Sequence, residues 1–365
     1  MATIESAGEL GERIRGARTG SGRTQADLAA MLGMERSALA RVESGERKVS
    51  ALELLQISRS LDLPLSYFVN RTPAAISSFR QSVHDEPLAA PHDRFRCEAL
   101  LQAHLLDLEL LSQHGLLEPV RGLPRGPVRD VQAAADLARA VRAFLDCPTA
   151  PLPGMVEVAE RLGLFLLVAD VAAEGACLTS EAGLGVGLVS DRPPPGRRRF
   201  TAAHEIGHYI LQDEYQTDLH VASSRDEREV VVDAFAAELL LPRQGLREAW
   251  QSRDDDARTR LLNIAATFRV SWGVAVRAAG HARLVSLAQQ AQLSQRAPEL
   301  TEFLAVLGKA PEEDITPSSV RPLWTKAVIT ALRRHLVTPA RAAELLNQPE
   351  LAQHLAQHSE PQPSP

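Results

Sequence analysis

The sequence predicts an α+β protein that is mostly α, with a five-helix N-terminal unit, a central α+β unit and a C-terminal helical region. Three observations lead there. Apolar residues keep helical spacing through most of the chain, only two short apolar runs read as strands, and stretches rich in Pro and Gly divide the helices into groups. A length of 365 residues leaves room for two or three domains. With 45% hydrophobic and 24% charged residues, the composition is that of a folded globular protein rather than a disordered one.

The first unit spans 1–70. Leu10, Ile14 and Ala17 define one helix, which Gly20-Ser21-Gly22 ends. Thr24-Gln25-Ala26-Asp27 is a capping pattern that opens a second helix carrying Leu28, Ala29 and Leu32 inward, and Gly33 stops it. A third helix runs from about 35 to 43 and buries Leu39 and Val42. Ser50-Ala51-Leu52-Glu53 repeats the capping pattern ahead of Leu54, Leu55, Ile57 and Leu61, and Pro64 permits a last turn near Phe68. Residues 71–129 read as a linker with a connecting helix over 95–115, whose stripe of Leu100, Leu101, Leu105, Leu108 and Leu111 would pack on a neighbouring domain or pair two subunits into a homodimer. The central domain is placed at 130–295. It opens with helices at 131–145 and 155–162, carries the strand candidates 164–168 and 185–189, and then, after Pro193-Pro194-Pro195-Gly196, the helix with the clearest chemistry. A helical region over 296–358 and a disordered tail at 359–365 complete the chain.

A net charge of −6 argues against a chain that coats nucleic acid and confines any DNA contact to one module. Three cysteines, Cys97, Cys147 and Cys177, with no CxxC, supply neither a disulfide framework nor a thiolate metal site. The N-terminus has no basic region followed by an apolar one, and no run is long and apolar enough for a membrane span, so the expected setting is cytoplasmic, with no membrane partner.

His204-Glu205-Ile206-Gly207-His208 is an HExxH motif. Two histidines four residues apart on a helix project from one face and can chelate one ion, with Glu205 beside them to take a proton from a water. The donor types suit Zn²⁺, with Mn²⁺ the alternative. A catalytic zinc site needs a third protein ligand. The next helix, about 226–241, is apolar nearly all round and therefore expected to be buried, with Glu229, Asp233 and Glu238 as its polar interruptions. Glu229 and Asp233 share one face, where like charges need a cation or a histidine. Glu229 is accordingly the expected third ligand, with Asp233 accepting the free N–H of a ligating histidine and Glu238 the rival ligand. His220, Tyr215 and His281 are the candidates for a second electrophile, though each reads more readily as an ordinary surface or core residue.

The segments Gly185-Val186-Gly187-Leu188-Val189, Arg197-Arg198-Arg199, Phe200 to His208 and Asp233 to Pro242 resemble the ImmA/IrrE family of zinc metallopeptidases over roughly 130–290. The resemblance implies a small zincin-like α+β domain, a glutamate of the second helix as third ligand, and cleavage of helix-turn-helix repressors that releases stress-response or mobile-element genes. Residues 9–68 resemble the XRE-type, lambda-repressor-like helix-turn-helix family in Gln25-Ala26-Asp27-Leu28-Ala29 and in Ser37 to Gly45. That resemblance implies double-stranded DNA as partner, with Arg36, Ser37 and Arg41 facing base edges, Gln25 touching backbone or base, and Arg47 and Lys48 holding phosphates. A second helix-turn-helix-like spacing at 262–277 reads as packing.

The expected protein is thus a DNA-binding regulator with a zinc endopeptidase whose substrate is an XRE-type repressor. The alternative is a regulator whose zincin-like domain senses a ligand or metal without hydrolysis. A third reading, a toxin–antitoxin or phage-control partner, differs from the first mainly in its genomic neighbourhood.

Overall fold

The computed structural model describes residues 4–69, 78–80, 91–180, 182–212, 222–251, 255–319 and 321–359. The first unit consists of the helices Ala7–Gly20, Gln25–Leu32, Arg36–Glu43, Ala51–Leu61 and Leu65–Val69. Thr24 and Ser50 each accept the backbone N–H three residues on, and Asp27 and Glu53 return a bond to the cap. Gly33, at φ 63°, takes the left-handed conformation that ends the second helix without a Cβ penalty. Ile14, Leu28, Leu39, Ile57, Leu61 and Phe68 close the core.

The central sheet has four strands, β1 Ser78–Arg80, β2 Leu164–Ala169, β3 Gly175–Thr179 and β4 Gly185–Ser190, in the order β1-β3-β4-β2. β2 runs parallel to β4, while β3 is antiparallel to both β4 and β1. Alternation along the strands sends Leu164, Leu166, Val168, Cys177 and Val189 into one core and Phe165, Ala176, Leu178, Val186 and Leu188 into another. The HExxH helix, Pro195–Leu211, covers the first face.

The second face is covered by the long helix Pro91–Gln113 and by Pro322–Arg333. Leu101, Leu105, Leu108 and Leu111 meet the strands together with Trp324 and Val328, so the leucine stripe expected to serve a neighbour or a second subunit is spent inside this chain. The opposite side of the same helix reaches the first unit, where Phe95 and Ala99 join its core and Arg96 pairs with Asp62 at 2.8 Å. At 1.5 Å per residue its 23 residues span roughly 35 Å, enough to serve both cores.

Two expectations are corrected here. The stretch read as a linker supplies β1, and β3 was not anticipated: Gly175-Ala176-Cys177-Leu178-Thr179 is poor in β-branched residues and is a strand because β4 pairs with it. The remaining linker positions 70–77 and 81–90 lie outside the described residues, as does 360–365 of the expected tail. The C-terminal helical region shares its burial with the rest of the chain. Ile315 enters the core beneath the HExxH helix, and Trp324, Val328 and Leu345 enter the core on the other face of the sheet. The helices Ala257–Phe268 and Trp272–His281 bury Leu261, Phe268, Ala275 and Ala279, so the second helix-turn-helix-like spacing is core packing. No described helix is long and apolar enough to cross a membrane.

Candidate metal centre and nucleic-acid face

Pro195 occupies the first turn of the HExxH helix, where its missing N–H costs nothing, and from Thr201 to Leu211 every side chain is buried. His204 and Glu205 are fully inaccessible and His208 is 2% exposed. Burying three ionisable groups in sequence is costly unless partners satisfy them. The helix Ala222–Leu240 supplies two of those partners. Its Val232, Phe235 and Leu239 pack into the core, and its Glu229 and Asp233 both meet His204. The two helices approach closely because position 207 is glycine: a Cβ there would lie 2.9 Å from Val232 Cγ1 and 3.2 Å from Phe235 Cδ1.

His204 Nδ1 lies 2.8 Å from Asp233 Oδ1. With Nδ1–H donating to that carboxylate, the lone pair of Nε2 faces inward. There it lies 3.2 Å from Glu229 Oε2 and 3.0 Å from His208 Nε2. One donor atom from each of His204, His208 and Glu229 falls within 4.8 Å of the others, and this is the group of such residues that could hold a metal among the described ones. Two imidazole nitrogens and one carboxylate oxygen form a donor set that fits Zn²⁺. Glu205 lies against the first residue of β3, where a Cβ on Gly175 would come within 2.6 Å of Glu205 Oε1.

The other described candidates lie outside the donor triad, His281 on the wall of a cavity that Asp233 also lines. Glu238, the rival ligand, pairs with Arg139 at 3.3 Å and accepts the backbone N–H of Arg243. His281 is exposed at the end of its helix, and Tyr215 and His220 lie outside the described residues. The second helix is not buried all round as its composition suggested, since Val230 is 57% exposed. That side lines a cavity of about 540 Å³, which meets a second of about 870 Å³ at Phe200, Asp233, Val274 and Arg277. Together they flank the acceptor of His204 with mostly apolar walls. Arg199, Glu313 and Asp314 line the larger cavity; Arg198 donates to Ile315 O at 2.6 Å and to Glu313 at 2.9 Å, and Arg199 pairs with Asp314. These contacts hold 313–315 against the start of the HExxH helix. Burial, with Arg269 and Arg142 nearby, lowers the Arg199 guanidinium to about 9.

In the N-terminal unit, Leu39, Val42 and Glu43 form the inner side of Arg36–Glu43, and Arg36, Ser37 and Arg41 form its exposed side. Lys48 is exposed as well. Gln25 and Arg47 have internal partners. Gln25 Nε2 donates to Glu43 Oε2 at 2.9 Å, and Arg47 bonds Glu53 Oε1 at 2.6 Å. Sequence reasoning missed Glu43, which is fully buried and held by Arg18 at 2.6 Å, because a glutamate at the end of an amphipathic helix reads as solvated. It also missed Gly175, whose neighbours are remote in sequence.

These elements define a helix-turn-helix protein that also carries an HExxH metallopeptidase-like domain. Residues 14–68 match the family model described as Helix-turn-helix, and residues 175–279 match the model of a peptidase family described as the IrrE N-terminal-like domain. The chain therefore joins an XRE-type DNA-binding domain to an IrrE/ImmA-like domain. No curated protein matches the chain.

Proposed function

We propose that this chain is a DNA-binding regulator whose central domain is a zinc-dependent endopeptidase, cleaving a helix-turn-helix repressor and so derepressing stress-response or mobile-element genes. The observation that carries the reading is the convergence of His204, His208 and Glu229 beside a fully buried Glu205, on a chain that also presents Arg36, Ser37 and Arg41 on an exposed helix. His204, His208 and Glu229 would hold the ion, which when bound supplies Lewis-acid polarisation of the scissile carbonyl and of water. Asp233 holds His204 in the Nδ1–H tautomer, leaving Nε2 as a donor. Glu205 takes a proton from the attacking water and passes it to the leaving amide nitrogen. The apolar cavities on either side of Asp233 would accept substrate side chains and exclude bulk water. Arg36, Ser37 and Arg41 would read base edges and Lys48 would hold phosphate. Arg47 would reach a phosphate only by giving up Glu53, and Gln25 would use its carbonyl oxygen while its amide stays on Glu43.

The test incubates the zinc-loaded chain with XRE-type repressors and identifies fragments by mass spectrometry. Glu205→Gln is expected to bind zinc at unchanged stoichiometry and to cleave nothing. Cleavage at the wild-type rate by this variant would remove Glu205 from the reaction.

A further inference from the structure

The edge of β3 not paired with β4, on a strand whose first residue lies against Glu205, is where an extended peptide would pair if it were presented to this site, because strand addition to an open sheet edge is how a sheet binds unfolded chain. In this structure that edge is taken by the chain itself. β1, Ser78–Arg80, lies antiparallel to β3 with Ser78 opposite Cys177, Phe79 opposite Ala176 and Arg80 opposite Gly175. Gly175 is the residue whose missing Cβ makes room for Glu205. The direction of β1 matters as much as its place. Running toward Gly175, it brings the chain to the end of β3 that touches Glu205. Opposed residues of an antiparallel pair sit about 5 Å apart, so the Arg80 backbone is within roughly 10 Å of the Glu205 carboxylate. The segment is also the connection between two cores. It follows the last helix of the DNA-binding unit, Leu65–Val69, and precedes the long helix Pro91–Gln113.

We propose that the chain is its own substrate: β1 docks the connection on the edge of β3, and the peptidase hydrolyses a peptide bond within Ser78–Arg80, severing the helix-turn-helix domain from the rest. This rests on the peptidase reading above. Water adds across the bond, its oxygen going to the carbonyl carbon as a new carboxylate and its proton, through Glu205, to the departing nitrogen as a new amine. The fragment carries the whole helix-turn-helix match, 14–68. Among the described residues, non-covalent contacts with the long helix then hold it, including Phe95 and Ala99 in its core, Phe95 against Tyr67, and the ion pair of Arg96 with Asp62. Cleavage would turn a tethered DNA-binding domain into one that can leave.

The experiment uses the full chain, purified with chelator and then loaded with one equivalent of Zn²⁺, alongside the repressor set. The expected result is an N-terminal fragment ending at Ser78 or Phe79, at a rate unchanged by tenfold dilution, and none from Glu205→Gln. Residues of an antiparallel pair alternate between hydrogen-bonded and non-hydrogen-bonded positions, so either Phe79→Pro or the double variant Ser78→Pro/Arg80→Pro must remove ladder bonds. At least one of the two should slow self-cleavage tenfold or more without lowering repressor cleavage, since the same edge is then free for it. Repressors cut while the chain stays whole would overturn self-cleavage and leave the peptidase standing. Neither cut, with zinc bound stoichiometrically, would sink both. A fragment ending elsewhere, or wild-type self-cleavage in both proline variants, would also refute the proposal. Faster repressor cleavage in these variants, with no self-cleavage by the wild type, would mark β1 as a blocking strand rather than a substrate.

Discussion

His104 and Asp107 stand one helical turn apart on the long helix, and their ionisation pulls stability in opposite directions with pH. Burial, reinforced by the nearby Arg321 charge, lowers His104 from 6.5 to about 3, against the Phe165 carbonyl 3.2 Å from its Nε2. Its folded form is neutral, so the unfolded chain binds the extra proton below 6.5, and stability falls as pH drops through that value. Between pH 7.5 and 5 this amounts to about 2 kcal/mol at 1.36 kcal/mol per unit. Asp107 shifts the other way. Burial raises it from 3.8 to about 6, only partly offset by Arg341. Its stability contribution is complete below 3.8 and is lost as pH rises through 6, so lowering pH from 7.5 to 5 returns about 1.4 kcal/mol. The wild type should therefore lose little over this range. His104→Gln, which keeps a donor near the Phe165 carbonyl, should grow more stable by about 1.4 kcal/mol toward pH 5, and Asp107→Asn should weaken by about 2 kcal/mol. Urea unfolding is read from Trp324, whose ring lies 4.6 Å from that of His104, in a background where Trp250 and Trp272 are phenylalanine. Variants whose pH dependence parallels the wild type over this range would refute the assignment.

Three further perturbations test the site and the reading helix. Asp233→Ala leaves His204 Nδ1 without its acceptor and should weaken zinc binding about 10- to 100-fold in a chelator competition, with little change in fold by circular dichroism. Gly207→Val places methyl groups where Val232 and Phe235 already pack, and should cost about 1–3 kcal/mol in unfolding by denaturant and lower zinc affinity by parting the two helices. Arg36→Ala and Arg41→Ala should each relax base preference at one operator position by about 1–3 kcal/mol in a mobility-shift series, whereas Lys48→Ala should weaken all sequences alike and lower the salt dependence.

Much of the candidate centre could be read from spacing because helical periodicity turns sequence separation into direction. His204 and His208 must share a face, and Glu229 and Asp233, four apart in an apolar helix, needed something basic to face. The caps at Thr24 and Ser50 were legible for the same local reason. What residue type and spacing left open was set by partners beyond a helix's own neighbouring turns. Gln25 and Arg47 carry the residue types of a DNA contact, yet Glu43 and Glu53 hold them. Gly175 has no local signature, and its role appears only beside Glu205. The leucines of Pro91–Gln113 predicted a buried stripe, and nothing in their spacing could say whether a sheet, a domain or a second subunit would bury it.

Sequence alone determined the helices, their caps, the two donor-bearing faces and the chemistry those donors favour, since each depends on residues within one or two turns. Tertiary structure decided that the two helices meet at Gly207, that a four-stranded sheet separates two cores, and that residues 78–80 lie along its edge, paired with the strand that begins against Glu205. The physical reason is that backbone torsions and i,i+4 neighbours act locally, whereas burial, strand pairing and the choice of ion-pair partner are settled only when distant segments compete for the same surface.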